Sequence, residues 1–88
     1  MIFISLGKFR KKPTKEAVAE VNRVREKLAK DGVKILSSFW TLGRYDTVVV
    51  FEAPDEKTAM KAAVGRGDIM ATETLVAVPR EEALKLVE

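Results

Sequence analysis

A tyrosine and an aspartate stand side by side at positions 45 and 46, five residues after the chain's one tryptophan, Trp40. A phenol next to a carboxylate can serve acid–base chemistry, and the indole could stack on a flat ligand. Each residue also has a structural alternative. Asp46 can hydrogen-bond turn amides, Gly43 supplies an unusual backbone angle, and Tyr45 and Trp40 can simply fill volume. We favour the structural alternatives, because turns require such residue types whatever the function.

A second candidate, Glu73, interrupts an apolar strand face that it shares with Ile69, Ala71, Leu75 and Ala77. A carboxylate on such a face costs free energy unless it is paired or hydrogen-bonded, so it is a candidate site residue. Two structural alternatives stay open. Glu73 could form a salt bridge with Arg44, Lys34 or a basic residue of a second subunit. It could instead lie on an edge strand, where a charge deters unwanted strand pairing.

The chain contains neither histidine nor cysteine. This excludes a Ser-His-Asp triad, a thiol nucleophile, His-ligated haem and the usual zinc sites. The glycines around Arg66 lack the spacing and the lysine of a phosphate-binding P-loop. We therefore expect no metal and no cofactor. We also expect a cytoplasmic protein, because no segment has the pattern of a signal peptide or the roughly 20 apolar residues of a membrane span.

Charge is distributed unevenly along the chain. Residues 1–44 hold eleven Lys and Arg against four acidic residues, a net +7, whereas residues 45–88 hold five against nine, a net −4. Part of the excess is a basic cluster: Lys8, Arg10, Lys11 and Lys12. The cluster could attract an anion, but a solvated loop is the simpler interpretation. Abundant Lys, Arg and Glu with no Gln and a single Asn is a composition typical of thermophile proteins.

Hydrophobic periodicity predicts four strands and three helices. The strands are predicted at 1–7, 33–42, 47–53 and 69–78, and the helices at 14–31, 56–64 and 80–88. Thr14 and Asp55 stand at positions suited to helix N-caps. The second strand is expected to alternate strictly, with Ile35, Ser37 and Phe39 on one face and Trp40 on the other.

The predicted order, β-α-β-β-α-β over a single domain of residues 1–88, is the ferredoxin-like plan, with an antiparallel sheet and both main helices on one side. The first strand, apolar on both faces, should be central. The third strand is also apolar on both faces, with Val48 and Val50 on one side and Val49 and Phe51 on the other. An exposed apolar face promotes association. We therefore expect a second copy of the chain to cover the helix-free face, giving a homodimer that could assemble further.

Several segments together resemble the GYD domain family, which is named after the Gly, Tyr and Asp near this turn. They are residues 40–46, the valine-rich strand that follows, residues 52–55 and residues 72–75. The resemblance covers essentially the whole chain and implies a ferredoxin-like subunit that pairs sheet to sheet as a dimeric α+β barrel. Related barrels include cofactor-free monooxygenases, haem-handling enzymes and ligand-sensing regulatory domains. The resemblance supplies no catalytic residue.

Three classes of function follow. The leading hypothesis is a homodimer that binds a small organic molecule between helix and sheet or inside the barrel, with Trp40, Tyr45, Asp46 and Glu73 as candidate ligand-binding residues. As an enzyme, it would perform cofactor-free oxidation or isomerisation, with Tyr45, Asp46 and Glu73 transferring protons. The second class is a non-catalytic regulatory or interaction module. The third, single-stranded nucleic-acid binding, is disfavoured because the third strand has one aromatic residue and lacks the basic-Gly-aromatic pattern of RNA-recognition modules.

Overall fold

The computed structural model describes residues 1–87 and contains four strands and three helices. The strands are β1 (Ile2–Phe9), β2 (Lys34–Trp40), β3 (Thr47–Glu52) and β4 (Met70–Ala77). The helices are α1 (Lys15–Lys30), α2 (Glu56–Gly65) and α3 (Arg80–Ala83), and a 3-10 turn follows at Leu84–Val87. The predicted order is confirmed. The terminal helix is shorter than expected, and Glu88 lies outside the described residues. None of the helices within residues 1–87 is long and apolar enough to cross a membrane.

The four strands form one sheet in the order β2-β3-β1-β4, and every neighbouring pair is antiparallel. The α+β, ferredoxin-like fold class is therefore confirmed. β1 is central, as its apolar faces predict, and β4 is an edge strand. Glu73 therefore lies on an edge, which was one of the two structural alternatives for this residue.

Side chains at the predicted positions cap both main helices. The Thr14 hydroxyl accepts a hydrogen bond from the Ala17 N–H at 3.1 Å. The Asp55 carboxylate accepts one from the Thr58 N–H at 2.8 Å. Each cap satisfies an amide that the helix itself leaves without a partner, so the two helices begin where the sequence predicts.

The hydrophobic core lies between the sheet and the two main helices. Phe3 of β1 and Phe51 of β3 are adjacent in register, and their rings stack with centroids 5.4 Å apart. Helix residues complete the core, namely Leu28 of α1 and Ala59 and Ala62 of α2. The alternate residues of β1 and β3 therefore point to the face that the helices leave uncovered.

A β-bulge interrupts β2. Ile35 is paired with Phe51, but Ser37 is paired with the adjacent Val50, so one extra residue lies in β2 at this point. Ile35 consequently faces the helices, whereas Ser37 faces the other way. The prediction of strict alternation was wrong, because the inserted residue changes the face of every position before it relative to those after it. Trp40 remains on the face opposite Phe39, as expected.

The helix-free face consists of the outward residues of all four strands. Ile4 is flanked in register by Val50 and Leu75, and Leu6 by Val48 and Glu73. On β2, Phe39 is paired with Val48 and extends the row that contains Leu6. Leu75 is 44% exposed and Phe39 59% exposed. The surface is thus an apolar centre with polar residues at its corners: Glu73 at one end, and Lys34 and Glu52 at the other.

Candidate functional site

Tyr45 and Glu73 meet at one corner of the helix-free face. The Tyr45 hydroxyl donates a hydrogen bond to the Glu73 carboxylate at 2.7 Å. Tyr45 precedes β3 and Glu73 lies on β4, so the tyrosine reaches across the end of β1. Neither of the two salt bridges within residues 1–87 involves Glu73. The structure therefore brings together two of the four predicted site residues and gives Glu73 a neutral partner.

The hydrogen bond to Glu73 raises the pKa of Tyr45, because the carboxylate accepts a bond only from the protonated phenol. Partial burial and the negative charge of Glu73 raise this pKa further. The nearby Arg44 guanidinium, 5.7 Å from the ring centroid, opposes the shift. At neutral pH Tyr45 is thus a hydrogen-bond donor and not a phenolate base.

The titration of Tyr45 tests this pair directly, because the chain has only one tyrosine. Its absorbance midpoint should lie above the ordinary value of 10.0, and Glu73→Gln should move the midpoint back towards that value. Since the folded-state pKa is raised, the stability that the bond contributes is complete below the unfolded pKa and is lost as pH rises through the folded one. Glu81→Gln, an exposed substitution on α3, is the matched control. An unchanged midpoint in Glu73→Gln would contradict the assignment.

Asp46 holds the turn that carries Tyr45. Its carboxylate accepts a hydrogen bond from the Phe9 N–H at 2.9 Å, and its own N–H donates to the Gly7 carbonyl at 2.8 Å. The turn itself is closed by Thr41, whose hydroxyl donates to the Tyr45 carbonyl at 2.6 Å. The contacts of Asp46 within residues 1–87 are therefore those of a residue that positions its neighbour.

Trp40 lies on the opposite face of the sheet, beside α1. Its ring meets Phe9 edge to face, with centroids 5.3 Å apart, and it is 65% exposed. It forms one wall of a cavity of about 110 Å³ between α1 and the sheet, which we call the α1 cavity. Other apolar walls come from Phe9, Val21, Ile69 and Met70. The four predicted residues therefore do not form one site, because Trp40 is separated from Tyr45 and Glu73 by the sheet.

Two arginines that sequence reasoning missed also line the α1 cavity. Arg66, at the C-terminal end of α2, is only 7% exposed, and its Nε donates to the Ala62 carbonyl at 3.3 Å. Arg25, from α1, donates from Nη2 to the Ser38 hydroxyl at 3.0 Å. Burial lowers the pKa of Arg66, and the neighbouring Arg25 charge lowers it further. The sequence offers only a weak indication: Arg25 lies four residues after Val21, so the two residues share one face of α1.

The other polar groups in this cavity are uncharged. They are the side chains of Asn22, Ser38 and Thr47. The described part of the chain contains no cluster of three or more potential metal ligands. The cavity thus combines apolar walls, neutral hydrogen-bonding groups and two guanidinium groups, a set suited to holding an organic molecule by one polar end.

These features define the class of protein: an α+β, ferredoxin-like subunit with a bare sheet face on one side and a cavity beneath its first helix on the other. The family model of the GYD domain matches residues 3–87, nearly the whole chain, and the protein belongs to the GYD domain family. The resemblance seen around Gly43, Tyr45 and Asp46 is therefore confirmed. A search of curated proteins finds no match.

Proposed function

We propose that this protein is a homodimeric α+β barrel that binds a small organic molecule in the α1 cavity. The cavity is the observation that carries the proposal, because apolar walls with a few converging polar groups are the usual form of a ligand site. Its volume of about 110 Å³ is smaller than the roughly 150 Å³ of an apolar cavity that holds benzene, so a ligand with an aromatic ring would be only partly enclosed. Because Trp40, which forms one wall of the cavity, is largely exposed, part of a bound ligand could extend into solvent.

The helix-free face supports the proposed homodimer. Ile4, Leu6, Val48 and Val50 form its centre, and the exposed Phe39 extends it. A second copy would bury these residues against the same face of its own sheet, as in a two-fold interface. The Tyr45–Glu73 pair would then lie at the polar rim, where charged groups are tolerated.

A second candidate function, cofactor-free oxidation or isomerisation, is favoured by the Tyr45–Glu73 hydrogen bond. A substrate oxygen could replace Glu73 as the acceptor of the phenol proton, and the released Glu73 carboxylate could then accept a proton from the substrate. Turnover of a bound ligand would separate this candidate from simple binding. A ligand recovered unchanged after long incubation supports a binding or regulatory role.

The binding proposal can be tested through the single indole N–H resonance of Trp40. Neutral benzamide and benzyl alcohol should shift this resonance saturably, because the indole forms a wall of the α1 cavity. Val21→Phe fills the cavity and should abolish the shift, whereas Val64→Phe, the same change at an exposed position of α2, should preserve it. Failure of neutral and anionic aromatic probes alike to shift the wild-type resonance would refute the proposed ligand site.

A further inference from the structure

We infer that the α1 cavity selects organic anions, with Arg25 and Arg66 binding the carboxylate or phosphate group of the ligand. This inference rests on the proposed ligand-binding function and adds the chemical class of the ligand. It is carried by the charges, hydrogen bonds and apolar walls that meet in the cavity.

The cavity contains two positive charges and no negative one. Its lining residues include Arg25 and Arg66 but neither aspartate nor glutamate. The salt bridges within residues 1–87 pair Arg23 with Glu20 and Lys61 with Asp31, so neither cavity arginine is neutralised by these residues. Removing a charge from water is costly unless a counter-charge accompanies it. An anionic ligand would supply the counter-charge.

Both arginines have hydrogen-bond donors without a partner within residues 1–87. The Nε of Arg25 is buried and has no hydrogen-bond partner within residues 1–87, while its Nη2 is held by Ser38. The Nε of Arg66 donates a hydrogen bond to the Ala62 carbonyl, and its two Nη groups make no hydrogen bond within residues 1–87. A guanidinium presents paired N–H groups that match the two oxygens of a carboxylate or phosphate. Two such groups in one cavity can therefore hold one anionic head group.

A structural role for Arg66 at the end of α2 accounts for only part of this arrangement. The negative end of the helix dipole and the Ala62 carbonyl favour a cation there. The helix dipole and the Ala62 carbonyl do not explain the presence of Arg25, which lies on α1. The positive charge of Arg25 disfavours the charged form of Arg66. Two cations that repel each other in a cavity without an acid are best explained by a shared anion.

The surroundings of the cavity favour the same class of ligand. Phe9 and Pro13 line the cavity, and the residues between them, Arg10, Lys11 and Lys12, are exposed. A basic border of this kind raises the local concentration of anions. Phe9 also contacts Trp40, so the wall near this border is aromatic. The ligand class is therefore a small organic acid with an apolar body.

Binding of charged and neutral probes of similar shape tests the inference. Benzoate or phenyl phosphate should bind at least tenfold more tightly than benzamide, measured by the Trp40 indole resonance and by calorimetry. Whichever of the two anions binds more tightly shows whether the cavity prefers a carboxylate or a phosphate group. Arg25→Met and Arg66→Met should each weaken anion binding at least tenfold and should weaken benzamide binding by a much smaller factor. Arg23→Met is the control, because Arg23 lies on the same helix but is paired with Glu20.

The outcomes separate this inference from the proposed function. If benzamide binds and neither anion binds more tightly, the cavity is a ligand site but the inference is wrong. If no probe binds, the proposed function fails as well. An equal loss of anion binding in Arg23→Met would show a general charge effect and would also overturn the inference. Should Arg66→Met not fold, Arg25→Met decides the result, because Arg25 donates from a partly buried position on α1.

Discussion

Replacing Val50 with lysine is expected to dissociate the proposed dimer, raising its dissociation constant at least about 100-fold. Val50 lies on the central strand β3, adjacent in register to Ile4 and Ser37 on the helix-free face. A lysine at this position would bury an unpaired ammonium group in the interface. Two-fold symmetry places the substitution in the interface twice, so its cost is doubled.

Sedimentation equilibrium at micromolar protein concentration measures this effect. Val64→Lys is the matched control, because Val64 is a valine on α2 that is 76% exposed. The control variant should remain dimeric with unchanged affinity. A wild-type protein that is a folded monomer at this concentration would contradict the sheet-to-sheet dimer, and so would equal dissociation in the two variants.

Replacing Arg66 with methionine is expected to stabilise the protein by about 1 kcal/mol, because an unpaired buried charge costs more than its contacts return. The contacts are one long hydrogen bond to Ala62 and the favourable end of the α2 dipole. The dipole contributes about 1 kcal/mol or less. Methionine keeps the apolar stem and fills a similar volume. A variant that gains stability and loses anion binding would separate the functional role of Arg66 from a structural one.

Urea denaturation at fixed protein concentration measures the change, since the proposed dimerisation would make the apparent stability depend on concentration. For a chain of this size, about 1 kcal/mol corresponds to a rise in melting temperature of roughly 4–8 °C. The lowered pKa of Arg66 means that the folded state holds this proton less tightly than the unfolded state. The destabilisation is therefore present wherever the guanidinium is charged, and the gain in Arg66→Met should be the same at acidic and neutral pH.

The control for this measurement is Arg23→Met on α1, whose guanidinium is exposed and paired with Glu20. Its free energy of unfolding should change by no more than about 0.5 kcal/mol, as is usual for surface positions. A clear loss of stability in Arg66→Met would show that this guanidinium holds the end of α2, and that its burial is structural.

The order of the elements and the ends of both main helices could be predicted because they depend on neighbours in the chain. Thr14 and Asp55 cap amides only three residues further on, and a residue four positions along a helix returns to the same face. The apolar faces of β1 also predict that this strand lies inside the sheet. Glu73 could be identified as a candidate because a carboxylate on an apolar strand is costly in any context.

Only the tertiary structure decided which candidates share a site. The register of β1 with its two neighbours places Tyr45 beside Glu73 on the helix-free face. Trp40 lies on the opposite face of the same sheet, against Phe9. The bulge in β2 reverses the face of Ile35 without any sign in residue type. Arg25 and Arg66 line one cavity because α1 and the end of α2 both border it. Such distances depend on strand register and helix packing, which couple residues far apart in the chain and leave no local periodicity.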